Sequence, residues 1–288
     1  MILVTMLLFL ATPDTASSFE QAELTWRADH EQEMKSDNSW LNLVGLFWLQ
    51  EGANTFGTAT DADFVLPRHA TVLKAGTFFL ENGKVRYEMA RGQRAVVDGK
   101  AALSGPLAMD NVLHHNHMRF FLIKRGDRLA VRIRDLRAGE FVNFQSLSYY
   151  SPKAKFVIKA DYEAYESPQI LRIGTVIGTE IELIVPGVIR FALDGVEHEL
   201  LPTLESEEDD KFFLMFKDQT SGSTTYSGGR YLYADLPVDG KVTLNFNRAT
   251  NPPCAYTPYA TCPLPPAENW MNLAIEAGER TYKAPEKR

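Results

Sequence analysis

Thr77-Phe-Phe-Leu-Glu-Asn82-Gly83-Lys-Val85-Arg-Tyr-Glu-Met89 is the stretch whose reading decides the fold class. Two runs rich in aromatic and β-branched residues flank Asn-Gly, the dipeptide that best accepts the left-handed backbone required at both centres of a type I′ turn. The stretch reads as a β-hairpin, and the same punctuation recurs along the chain. Asp98-Gly99 links Ala95-Val-Val97 to Ala101-Ala-Leu103, and Arg125-Gly126-Asp127 separates Arg119-Phe-Phe-Leu-Ile-Lys124 from Leu129-Ala-Val-Arg-Ile-Arg-Asp135. Further strands are expected at 156–162, 170–177, 180–185, 188–193, 196–201, 211–216, 230–235 and 241–246. Their turns fall at Pro186-Gly187, Asp194-Gly195 and Asp239-Gly240. Short strands at a spacing of about ten residues argue for sandwiches or barrels, not βαβ units.

A helix is expected before this β region, from Ser18 to about Ser36. Ser18-Phe-Glu-Gln21 has capping-box form, and Phe19, Ala22, Trp26 and Met34 lie near one face. The apolar strand Trp40–Leu49 follows. A second helix is expected near the end, where Pro265-Pro266 sets a start, Trp270, Leu273, Ala274 and Ala277 make a stripe, and Gly278 supplies a stop. The chain therefore reads as mainly β, a two-lobed β-sandwich or barrel-like protein with an N-terminal and a C-terminal helix. Its parts are a leader or tail (1–16), the helix (17–39), a first β lobe (40–147), and a second β lobe carrying a Pro-rich loop and the last helix (148–288).

With 288 residues, 45% hydrophobic and 23% charged, the composition is that of a soluble globular protein, and a net charge of −7 argues against nucleic acid as a partner. The opening Met1-Ile-Leu-Val-Thr-Met-Leu-Leu-Phe-Leu-Ala11 is too short to span a bilayer but suits the apolar region of a signal peptide. No Lys or Arg precedes it, and Asp14-Thr-Ala16 is a poor cleavage site. A periplasmic or secreted protein is the expectation, with a cytoplasmic one as the alternative. No transmembrane segment is expected in the mature chain.

Three segments carry the residue types that bind or react. Asn245-Phe-Asn-Arg-Ala-Thr-Asn-Pro-Pro-Cys254, continuing to Cys262-Pro-Leu-Pro-Pro266, holds both cysteines and more than a quarter of the fifteen prolines. Proline cannot join a ladder as donor and restricts the residue before it, so local chemistry holds this backbone in one shape. Asn247, Arg248 and Asn251 offer several donors in fixed directions, which suits carboxylate, phosphate or sugar oxygens. Cys254 and Cys262 would form a disulfide in an exported protein, or a thiol pair in a reducing compartment. The second segment, Lys217-Asp218-Gln-Thr220 through Tyr226-Ser-Gly-Gly-Arg230, could form an anion nest with Arg230 as its cation. The simpler alternative is an Asp218–Arg230 pair that locks a turn. The third segment is Leu113-His-His-Asn-His117, where His115 and His117 would share a strand face. No carboxylate or thiol at useful spacing completes that set apart from Asp110, so no metal ligands and no cofactor are assigned. No serine-hydrolase elbow or zincin run is present.

Phe216-Lys-Asp-Gln-Thr220, Thr225-Tyr-Ser-Gly-Gly-Arg-Tyr-Leu232, Asn245–Cys254, Ala260-Thr-Cys-Pro-Leu-Pro-Pro266 and Ala277-Gly-Glu279 resemble the bacterial family called domain of unknown function 1684. Leu46-Phe-Trp-Leu49, Gly57 and Arg132-Ile-Arg-Asp135 extend the resemblance over nearly all of the chain after residue 20. Asn245 and Thr250 depart from the family's more usual Asp and Tyr, and the resemblance implies no activity. Gly52-Ala-Asn-Thr-Phe-Gly57 to Asp63-Phe-Val-Leu-Pro-Arg-His-Ala70 is similar to the opening of forkhead-associated sandwiches. Thr58 stands where those modules usually have Arg, so the similarity bears on fold and implies no phosphothreonine recognition.

No reaction can be read from these residues. The site expected from them is a pocket in the second lobe, where the Arg230 loop meets the Asn247–Cys262 loop, binding a small polar or anionic molecule. Its candidate residues are Asp218, Thr220, Tyr226, Arg230, Asn247, Arg248, Asn251, Cys254, Cys262 and Glu279. A hydrolase or transferase using the same pocket, and a module binding a protein partner through the first lobe, are the alternatives.

Overall fold

The structure is a computed structural model, described over residues 17–284; the apolar start on which the export expectation rests lies outside the described residues. The chain is mainly β, as its turn chemistry requires. Asn82, Asp98, Asp194 and Asp239 all have positive φ and each is followed by a glycine of positive φ, so these Asn/Asp-Gly turns form as read.

Residues 43–135 build two sheets. The first runs in the order Leu43–Trp48, Arg128–Asp135, Met118–Arg125, Val112–His115, Ala95–Val97, Lys100–Ala102. The second runs Phe64–Val65, Gly52–Gly57, Gly76–Glu81, Lys84–Met89, Ser104–Leu107. Alternation turns one face of each sheet inward. Phe56 and Phe78 from the second sheet stack at 4.8 Å, and Phe120 from the first lies 5.4 and 5.9 Å from them. All three are buried, so this aromatic cluster fills the space between the sheets.

A second core lies around a four-stranded sheet, Val196–Leu200, Glu180–Leu193, Val157–Gly174, Lys241–Asn245, and a hairpin of Lys211–Phe216 with Arg230–Asp235. Phe216 and Phe246 meet edge to face in it at 5.4 Å. The Pro186-Gly187 turn expected here does not exist. Glu180–Leu193 passes straight through it, with Gly187 opposite Ala164 and the Tyr162 hydroxyl donating to the Pro186 carbonyl at 3.0 Å. The irregularity falls instead in the partner strand, where the register shifts between Ala164 and Gln169. Strands expected at 156–162 and 170–177 are accordingly one strand, Val157–Gly174.

The first helix, α1 (Ser18–Met34), forms, with its capping box one residue earlier than expected: Ser17 is the N-cap and Glu20 closes the box. Its inward face is polar. Glu23 and Met34 are its buried residues, while Ala22 and Leu24 are exposed.

The expected C-terminal helix is absent. After a single short turn at Ala267–Asn269 the chain runs extended. Lys217 N–H donates to the Asn269 carbonyl, Met271 N–H to that of Lys217, and Gln219 N–H to that of Leu273. Met271, Ile275 and Ala277 are buried, with Leu273 half-buried and their neighbours exposed, which is a period of two. The stripe read at helical spacing is a strand-like alternation, and the backbone bonds with 217–219 decide between the two.

Candidate functional site

The structure sorts the expected site residues into four separate groups. Asp218 and Arg230 form an ion pair whose side chains are fully excluded from solvent. The Arg230 guanidinium also donates to the Ala277 carbonyl and, at 2.9 Å, to that of Ile275, and it lies over the Phe216 ring. Thr220 donates its hydroxyl to Asp218 and meets the Thr225 hydroxyl at 2.8 Å. Burial drives the Arg230 pKa down, and Asp218 opposes that. This group is a core lock that ties the 218–230 loop to residues 275–277.

Arg248 is engaged by the N-terminal helix. It donates to the buried Glu23 carboxylate from Nε and Nη2, at 3.2 Å each, and Asn245 Nδ2 joins at 2.9 Å. Asn247 clamps Lys153, accepting from its N–H at 2.9 Å and donating to its carbonyl at 3.0 Å. The guanidinium-lined hollow expected between Arg230 and Arg248 is therefore not formed. Arg125 and Arg132 of the first sheet are the arginines that meet the Pro-rich loop, both donating to the Thr261 hydroxyl. Burial pushes the Arg132 pKa down to about 10.

The third group centres on Glu279, which is completely buried. It accepts from His30 Nε2 at 2.8 Å, from the Tyr256 hydroxyl at 2.7 Å and from the Asn251 backbone N–H at 2.7 Å. The fourth is the thiol pair. Cys254 N–H donates to Cys262 Sγ at 3.2 Å, both cysteines are free, and the Tyr226 hydroxyl donates to the Cys254 carbonyl. Contact with Cys262 lowers the Cys254 pKa to about 7 despite burial, and the same contact raises that of Cys262.

The Pro-rich loop does frame a cavity, but on its other side. Ala255–Tyr259 and Tyr282 face Leu41, Val44, His69, Asp135 and Glu140 across a space of about 460 Å³. Thr257 anchors the loop there by donating to the Leu43 carbonyl at 2.9 Å. Tyr256 thus contributes to the cavity wall while its hydroxyl holds Glu279 behind it. Glu140 Oε2 is buried with no hydrogen-bond partner, and no Lys or Arg lines the space among the described residues.

Residues 142–280 match the profile of the family described as "Protein of unknown function (DUF1684)". The matched span holds all ten candidate residues and the whole Pro-rich loop. The chain belongs to that family. An uncharacterized protein of Haloarcula marismortui, solved by solution NMR, is 34% identical over 49% of this chain and 78% of its own, with a TM-score of 0.42. Two FHA-domain structures, one of them the FhaA domain in complex with a partner's intracellular domain, are each 17% identical with a TM-score of 0.24. Each covers 31% of this chain, and 97% and 92% of the two FHA chains are covered. No curated protein matches.

In this DUF1684 member, sequence reasoning missed the cavity wall supplied from outside the matched span. His69 sits in the turn closed by Ala70 N–H donating to the Pro67 carbonyl, and Asp135 ends the strand Arg128–Asp135. His117 lies next to Met118, which is paired with Asp135. The His run signalled His117, but its neighbours come from strand register and a loop 48 positions away. Tyr256 and Tyr259 carried a weak signal, as hydroxyl-bearing aromatics in a segment already stiffened by proline. Among the described residues no helix is long and apolar enough to cross a membrane.

Proposed function

We propose that the chain binds a small polar molecule in the cavity between the Pro-rich loop and the first sheet. The observation that carries this reading is the 460 Å³ space lined by Tyr256, Tyr259 and Tyr282 on one side and by His69, Asp135 and Glu140 on the other. That volume and the mixture of aromatic faces with a few convergent polar groups suit a metabolite-sized ligand. The Glu140 carboxylate, which no Lys or Arg of the cavity wall faces, favours a neutral or positively charged ligand that donates hydrogen bonds, in place of the anion expected from Arg230 and Arg248. Glu140, half-buried with its Oε2 unpartnered, would accept from it.

A thermal-shift screen of neutral and cationic metabolites tests the reading. At a ligand concentration of about 100 Kd, binding stabilises the native state by about 2.7 kcal/mol. The shift should be reduced in Glu140→Gln and abolished in Tyr259→Ala. No shift with any compound, or shifts that both variants retain in full, would overturn it. Export belongs to the same proposal, supported by the apolar run at residues 1–11. Fractionation of cells expressing the full chain tests it, with recovery in the cytoplasm as the contrary result.

A further inference from the structure

We propose that His69, His117 and Asp135 form a binding site for a divalent first-row transition metal ion, of the zinc, manganese or iron type. This goes beyond the ligand reading: the site shares a wall with the cavity but requires no ligand in it.

The three groups present one donor atom each, all within 4.8 Å of one another. His69 Nε2 lies 2.8 Å from Asp135 Oδ2, and His117 Nε2 lies 3.4 Å from Asp135 Oδ1. Donors bound to one ion at about 2.0–2.2 Å stand roughly 3 Å or slightly more apart, so closure needs only small movements of side chains. His69, 59% exposed, is free to make them, whereas His117 at 10% and Asp135 at 1% are held. The two imidazole rings stack nearly parallel, 5.8 Å between centroids.

His117 supplies the second, independent observation. Its side chain is nine-tenths buried and its Nε2 has no hydrogen-bond partner, although that atom lies 3.4 Å from the carboxylate. A buried donor or acceptor left unmade costs about 1–3 kcal/mol, which a metal bond would recover.

The surroundings position the donors. Pairing of Met118 with Asp135 fixes the His117 turn beside the carboxylate. The Arg137 backbone N–H donates to Asp135 Oδ1 at 2.8 Å, the kind of outer contact that orients a ligating carboxylate. His115 is not a ligand: it is buried and engaged by the Thr71 hydroxyl at 2.6 Å and the Arg94 carbonyl at 3.0 Å. Those bonds, with Asn116 Nδ2 donating to the Ala70 carbonyl, pin the 67–71 loop over the turn and bring His69 to His117. Two imidazoles and one carboxylate select ions of borderline softness over magnesium or calcium, and the cavity leaves coordination positions open.

The test is calorimetric titration of the chelator-treated full chain with Zn²⁺ and Mn²⁺, together with Co²⁺ followed by its visible d–d absorption. One equivalent should bind, with a Co²⁺ spectrum lacking thiolate charge transfer. His69→Ala, confirmed as folded by circular dichroism, should weaken binding at least tenfold, and His117→Gln at least as much. Cys254→Ser/Cys262→Ser should bind as wild type. Absence of stoichiometric binding, unchanged affinity in a folded His69→Ala, or loss of binding in the double cysteine variant would each overturn the assignment.

Discussion

His30 of α1 donates from Nε2 to Glu279 at 2.8 Å, joining residues 249 positions apart around a carboxylate with no solvent exposure. Glu23 on the same helix receives Arg248 and Asn245, and Glu31 accepts from the Leu147 N–H at 2.8 Å. The helix is thus fastened by polar bonds to the segments that carry the Pro-rich loop. Removing one partner from such a buried network leaves a desolvated charge, which costs more than the bond itself contributes.

The His30 contact makes stability depend on pH. Burial disfavours its imidazolium, but the hydrogen bond and charge of Glu279, with Glu33, outweigh it, and the pKa is raised above the usual 6.5. A group whose native pKa is raised contributes stability that is complete below its unfolded pKa and is lost as pH rises through the native value. The stability difference between wild type and His30→Gln should therefore be largest below pH 6.5 and shrink above it. His117 and His114, with lowered pKa values, act in the opposite sense and are common to both proteins. Urea denaturation at several pH values measures the difference; one that grows with pH would contradict the assignment.

Asp218→Ala should destabilise by about 3–5 kcal/mol, because it strands a wholly buried guanidinium. Asp218→Leu combined with Arg230→Met should cost less than Asp218→Ala, since neither charge remains. Equilibrium denaturation of both variants settles the order. Equal or reversed costs would mean that Arg230 is held by the Ile275 and Ala277 carbonyls alone.

Cys254 is partly exposed and its pKa is lowered to about 7, whereas Cys262 is buried and raised. Iodoacetamide should modify one thiol in the native protein, at Cys254, with a rate that climbs through about pH 7 and levels off above it. Mild oxidation should join the two. Closing so short a loop stabilises by about 2.5 kcal/mol in the chain-entropy account. Peptide mapping and melting of the oxidised protein check both outcomes. Preferential labelling of Cys262 would be the contrary result.

Gly278→Ala should cost at least about 1–3 kcal/mol. Gly278 has φ of 73°, and a Cβ there would stand 2.5 Å from the Ala249 carbonyl oxygen and 2.8 Å from that of Phe246. Glu279 follows it directly, so the same substitution should weaken the His30 contribution to the pH profile. A variant as stable as wild type would show that the backbone can give way.

The β character was legible because turns are local. Asn82-Gly83, Asp98-Gly99, Asp194-Gly195 and Asp239-Gly240 need left-handed backbone that few other dipeptides supply, and all four form. The buried face of α1 was not legible. Beside Met34 it presents Glu23 and the half-buried Arg27 and His30, whose helical spacing is regular but whose polar chemistry apolar periodicity does not report. Residues 270–277 deceived for a related reason. Trp270, Leu273, Ala274 and Ala277 fit a helical stripe, and Met271, Leu273, Ile275 and Ala277 fit a strand equally well. Bonds to Lys217 and Gln219, and the demand of Arg230 for the Ile275 and Ala277 carbonyls, resolved the ambiguity.

By itself, then, the sequence determined where the chain turns, how its helix is capped, the mainly β class and membership of the DUF1684 family, all of which are written in neighbouring residues. Tertiary structure alone decided that Arg230 and Arg248 are consumed in ion pairs, that the Pro-rich loop opens toward the first sheet, and that His69, His117 and Asp135 converge. Such convergence depends on which strands pair and in what register. That is settled by the summed burial of distant side chains, and no local pattern in the chain reports it.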